Sequence, residues 1–201
     1  MAATISTSAA ALTVLDFWFR PADLFQHGQF RREWFSKNDA FDAEIRNHFG
    51  LLVEAALAGE LREWNATAEG TLAHILLLDQ FTRNIFRDTG RAFAGDALAL
   101  ALATSLVSSG RDKNLPPIQR WFAFMPFEHS ETLIDQECSV ALFAGLRAEA
   151  QHEVFDAAYD YALRHRAVVE RFGRFPHRNA LLGRESTAEE IEALKLPEFH
   201  F

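Results

Sequence analysis

A chain of 201 residues is long enough for one domain with a sizeable core, or at most two small ones. Its composition, 49% hydrophobic and 24% charged, argues against disorder, and 19 Phe with 4 Trp predict a core built on large aromatic side chains. A net charge of −8 argues against a nucleic-acid partner, which needs a basic surface, and the single cysteine, Cys138, predicts a reducing, cytoplasmic setting because it cannot close an internal disulfide.

Met1 to Leu12 is small and hydroxylated, with no Lys or Arg. It reads as a flexible tail and not as a secretory signal, ahead of a single all-helical domain over 13–201. No run of eighteen apolar residues is visible, which predicts a soluble protein without a membrane partner. Phe41, Ile45, Phe49, Leu52 and Ala56 recur at helical spacing until Gly59 stops the run. Thr71 to Phe86 is apolar almost all round, as expected of a helix buried on most sides. Ala97 to Ala103 alternates like a strand, but Ala and Leu are strong helix formers and Gly110 supplies a stop, so a helix is predicted.

Pro116 and Pro117 open a segment carrying Ile118, Trp121, Phe122 and Met125, which Pro126 is expected to end. Ser130 is the expected N-cap of a helix running to about Leu146. Phe155, Ala158, Ala162, His165, Val169 and Phe172 form the stripe of a long helix. Ser186-Thr187-Ala188-Glu189 reads as a capping box for a last helix through Leu194. The predicted fold is therefore all-α, built of stacked antiparallel helical hairpins.

No Gly-rich phosphate loop or G-x-S-x-G elbow occurs, and no cofactor is expected. His152-Glu153-Val154-Phe155-Asp156 is half a zincin motif, and Glu149-x-x-His152 occurs once where di-iron chemistry needs it twice, so no metal site is expected. Cys138 sits mid-helix near Ile134 and Ala141 and reads as a buried, inert thiol.

Three polar clusters conflict with their surroundings. Asp79-Gln80-Phe81-Thr82-Arg83-Asn84 lies inside the most apolar segment, with Asp79 and Arg83 four apart and able to pair. Glu128-His129-Ser130-Glu131, followed by Asp135-Gln136, places His129 between carboxylates that suit it to proton transfer. Arg164 to Arg184 holds six arginines with His165 and His177 against one acid, Glu170, in a chain where Arg outnumbers Lys 17 to 3. That excess favours planar, bidentate contacts. The basic segment is expected to fold back onto the acidic clusters, bringing Asp79, His129, Glu131, Arg174, His177 and Arg178 together.

Val14 to Phe19, Leu77 to Asn84, Pro126 to Glu131 and Arg171 to Asn179 together resemble, in order, the motifs of a bacterial family, domain of unknown function 924. The similarity runs from about Val14 to Leu194, and Thr82 stands where that family is expected to carry proline. The resemblance implies a tetratricopeptide-like right-handed superhelix and no particular activity. Such superhelices often bind peptides or proteins along a concave face.

Three functions fit these residues. The first is a binding module holding an acidic peptide, a protein or a small anion at Asp79, Gln80, Arg83, Asn84, His129, Glu131, Arg171, Arg174, His177, Arg178 and Asn179. The second is an enzyme with His129 or His177 as general acid/base, Glu131 or Asp79 orienting it, and Arg174 or Arg178 holding an anionic substrate. In the third the clusters only lock helices together.

Overall fold

The structure is a computed structural model describing residues 6–196 and Phe199. Those residues are all helical, with eight helices and no strand. These are α1 (Ala9–Phe19), α2 (Asp39–Leu57), α3 (68–85), α4 (Asp96–Ser108), α5 (Pro117–His129), α6 (Leu133–Ala150), α7 (Glu153–Phe172) and α8 (Ala188–Ala193), joined by short 3-10 turns. Of the expected tail, the first five residues lie outside the described ones, and Ala9 to Leu12 belong to α1, with Ala11 fully buried.

The chain divides into two compact units: residues up to Arg87 with Arg91–Pro126, and Asp88–Gly90 with the chain from Phe127 onward. One domain was expected over 13–201. In the first unit, α1 presents Phe17, Trp18 and Phe19 to an aromatic core. Trp18 meets Phe81 at 5.3 Å and Phe122 edge-on at 5.6 Å between ring centroids, and Trp34 meets Phe122 at 4.9 Å. The Asp-Phe-Trp-Phe motif is thus a packing element.

α3 is interrupted at Leu77–Phe81 by one π-helical turn. A π turn closes i→i+5 bonds and leaves carbonyls outside the α ladder. Side chains satisfy them here. The Thr82 hydroxyl donates to the Leu78 carbonyl at 2.8 Å and to that of Asp79 at 3.2 Å, and Arg83 Nη1 donates to the Asp79 carbonyl at 2.7 Å. Gly95, just before α4, comes so close that a Cβ there would lie 2.2 Å from the Leu78 oxygen.

α4 confirms the helical reading of the alternating Ala-Leu run and buries Ala99, Ala103 and Leu106. The stretch Gly90–Ser108 around it is long and apolar enough to cross a membrane, with hydropathy 1.3, where no such run was expected. Only its last 13 residues are α-helical. That is about 20 Å at 1.5 Å per residue, short of a hydrocarbon core of roughly 30 Å.

In the second unit α6 and α7 form an antiparallel hairpin turned by Gln151, at φ 47°, and His152, whose Nδ1 accepts from the Val154 amide. His152 is thus a helix cap. Three boundaries differ from expectation. Pro126 lies inside α5, α6 is capped by Thr132 with Ser130 outside, and the last capping box is Thr187 with Glu190, one residue on from the predicted pair. Cys138 is exposed, because α6 turns Gln136, Ser139, Phe143 and Leu146 inward.

Candidate functional site

The polar residues of the π turn form a network within the first unit. Asp79 is fully buried, with Oδ1 3.4 Å from Arg83 Nη1 and Oδ2 accepting from Gln80 Nε2 at 2.5 Å. Arg83 reaches outside its helix to Asp96 at the start of α4, with bonds of 2.8 and 3.0 Å. Burial works against the Arg83 charge, but Asp79 and Asp96 outweigh it and raise its pKa. The expected Asp79–Arg83 pair therefore exists, with Asp96 as a third member.

Asn84 faces Asp42 on α2, which sequence reasoning missed. Asp42 Oδ1 accepts from Asn84 Nδ2 at 2.7 Å, and both carboxylate oxygens accept from Arg87 at 2.7 and 3.0 Å. Burial pushes the Asp42 carboxyl up, yet the bonds from Arg87 and Asn84 prevail and hold it below its ordinary value. Three of the four residues predicted at this site thus lock helices, Asp79 and Arg83 through charge pairs and Asn84 through its hydrogen bond to Asp42.

In the second unit the arginine-rich segment is met by acids, largely from just beyond its end. Arg171 pairs with Glu189 at 2.8 Å. Arg174 holds Glu190 through Nε at 2.7 Å and Nη2 at 2.9 Å, and Asn179 Nδ2 adds a bond to Glu190 at 3.2 Å. With the Thr187 amide these bonds bring the Glu190 carboxyl down to about 2, Arg174 being the largest cause. Arg184 grips both oxygens of Glu131 at 2.6 and 2.9 Å, and Glu131 also accepts from the Phe175 amide at 2.8 Å. Burial opposes the Glu131 charge, but Arg184 and Phe175 lower its pKa nonetheless. The expected return of the basic segment onto Glu131 is realised here, and Asp79 belongs to the other unit.

Phe175 is also the centre of a second cluster. Arg178 lies over its ring at 4.5 Å, His177 stands 5.7 Å from it, and His165 packs edge-on at 5.5 Å. His129 lies 6.3 Å from His165. His165 Nδ1 sits 2.9 Å from the Tyr161 carbonyl and 3.1 Å from Glu128 Oε1. A carbonyl only accepts, so the proton is on Nδ1 and a neutral ring leaves Nε2 as an acceptor. Burial, then the charges of His129, Arg178 and His177, push His165 well below its usual pKa and keep the ring neutral at pH 7. Gln136, fully buried, donates to the carbonyls of Glu128 at 2.6 Å and Ser130 at 2.7 Å, fixing the end of α5 that presents Glu128 and His129. His165, Glu128 and Gln136 were missing from the predicted set. Their signal was polarity on apolar stripes, which a single satisfied core residue explains equally well.

A family described as a bacterial protein of unknown function (DUF924) matches residues 14–198. A solved protein of unknown function, ATU0120 from Agrobacterium tumefaciens, is similar at 37% identity and a TM-score of 0.81, over 94% of this chain and 99% of that one. No curated protein matches.

Proposed function

The chain belongs to the bacterial family DUF924, and from that premise we propose a cytoplasmic helical scaffold whose second unit binds a small oxyanion, free or on an acidic peptide. One observation carries this reading: neutral His165, with His177 and Arg178, surrounds Phe175, His129 stands next to His165, and the charges of His129, Arg178 and His177 act together on the His165 ring. A positive locus of that kind favours a negative ligand. Arg171, Arg174 and Arg184 serve as its frame through their bonds to Glu189, Glu190 and Glu131. Arg178, a planar fork stacked on an aromatic ring, is the natural oxyanion contact.

The test is thermal unfolding in inorganic phosphate against chloride at fixed ionic strength. Saturable stabilisation is expected, about 2.7 kcal/mol at a hundred times the dissociation constant. His177→Ala and Arg178→Lys should weaken it while Arg171→Ala leaves it intact. A shift equal in phosphate and chloride, or equally large in all variants, overturns the reading.

A further inference from the structure

α4 is buried on one side only. It turns Ala99, Ala103 and Leu106 inward, while Ala97, Leu98, Ala101, Thr104, Ser105 and Ser108 are exposed. Of the apolar window within Gly90–Ser108, only 28% is buried. The 14 residues from Ala97 to Gly110 carry no charge. Monomeric proteins rarely leave such a surface to water, and where they do it marks an interaction site. A bilayer does not fit this one. α4 is too short to cross it, and the uncharged run offers no Lys or Arg to anionic headgroups. Beside the exposed face a cavity of about 110 Å³ opens, walled by Ala56 and Gly59 of the α2 end and by Leu98, Ala101 and Leu102. Smaller than the roughly 150 Å³ that holds benzene, it is the size of one aliphatic side chain.

Charge selects the occupant. The chain carries −8 in all, so two copies repel unless they meet where neither is charged, and Ala97–Gly110 is such a place. A partner of opposite charge would gain nothing there, because charge complementarity steers it to charged faces. On the flanking elements the charges cancel: Arg91 pairs with Glu54 of α2 at 2.8 Å, and Arg83 holds Asp96.

We propose that the exposed face of α4 is the contact of a homodimer, with a second copy of this chain related by a twofold axis. The axis sets α4 antiparallel to its copy, so the macrodipoles oppose favourably. Ala97, Ala101 and Ser105, one turn apart, let the helix axes approach to roughly 8 Å. Leu98, 43% exposed, enters the cavity of the other copy, and the contact repeats about the axis as an isologous interface requires. A contact centred on one helix about 20 Å long falls short of the roughly 1,200 Å² of stable complexes, so the dimer is a weak one, micromolar in affinity. This inference does not rest on the oxyanion reading.

Sedimentation velocity of the full chain from about 1 to 300 µM tests it. The wild type is expected to pass from monomer to dimer, and more readily in about 0.5 M than in about 0.05 M NaCl, because salt screens the like charges of the two copies. Ala101→Glu, which sets two carboxylates across the axis, should weaken association at least about a hundredfold, and Leu98→Ala about tenfold. Ala101 is exposed, so unchanged helical circular dichroism will show the fold intact. Ala148→Glu, equally exposed on α6, adds the same charge elsewhere and should leave association unchanged. Association weakened by salt, dimerisation of Ala101→Glu like that of the wild type, or equal losses in Ala101→Glu and Ala148→Glu overturns the proposal. So does a wild type monomeric throughout, which would leave the face to a helix of another protein.

Discussion

Replacing Asp42 by alanine removes three charge-assisted bonds at once, and the structure says how the loss divides. Arg87 keeps 31% of its side chain exposed and can turn to water, so its share is the net value of a charged bond, about 1.5–3 kcal/mol. Asn84 is 7% exposed and cannot, so its orphaned amide adds about 1–3 kcal/mol. The two shares together span about 2.5–6 kcal/mol, which brackets the roughly 3–5 kcal/mol of other broken buried pairs, the range taken here. At about 2–4 °C per kcal/mol for a chain of this length, the melting temperature should fall by roughly 6–20 °C in differential scanning calorimetry. In the Asp42→Ala background Asn84→Ala should cost at least about 1 kcal/mol less than in the wild type, because the orphan is already present. The sign with pH follows from the depressed Asp42 carboxyl. Its stabilisation is complete above the ordinary value of 3.8 and is lost as pH falls through the lower folded value. A fall below about 2 °C, or an Asn84→Ala cost equal in both backgrounds, would refute this partition.

Glu190, at about 2 in the fold against 4.5 ordinarily, should stabilise fully above pH 4.5 and lose that contribution as pH drops toward 2. Urea melts across that range should show a flatter acid limb in Glu190→Gln than in wild type. Gly95→Ala should destabilise by about 1–3 kcal/mol through the clash with the Leu78 carbonyl. Gly50→Ala, in a helix interior with nothing within 4 Å of the new methyl, should stabilise by about 0.5–1 kcal/mol, and the two can be compared in one denaturant series. Cys138, being exposed, should react with a chromogenic disulfide reagent in the native protein at the rate of the unfolded chain. Slow, unfolding-limited reaction would show the thiol to be covered.

The helices were legible wherever apolar spacing and punctuation agreed, as in α2, α4 and α7. The misreadings have local causes. Ile134 and Cys138 look like core positions, yet α6 buries Gln136 and Ser139, and the Gln136 amide serves the end of α5. Ser186 and Thr187 carry the same hydroxyl, and only the fold shows that Ser186 accepts from Asn179, leaving the cap to Thr187. The excess of positive charge between Arg164 and Arg184 arises because the balancing acids Glu189 and Glu190 come just after it and Glu131 well before it. Of the candidate site, the motif residues were visible and His165 stood out only as a polar residue on an apolar stripe, while Asp42 and Asp96 were not visible. Their roles depend on which helix each faces, and residues scores of positions apart meet only in three dimensions.

The π turn has a consequence for lineage. Such a turn accommodates one residue more than an α-helix of the same rise, so the segments before and after it keep their faces while the residue count between them grows by one. A relative that runs this helix unbroken would align to the chain with a one-residue gap inside 77–81. Aligned without the gap, every position from Thr82 onward would be displaced by roughly 100° around the axis. Arg83 and Asn84 would then be matched to residues facing neither Asp96 nor Asp42. An evolutionary history of this helix therefore has to be written in insertions and deletions before substitutions acquire meaning.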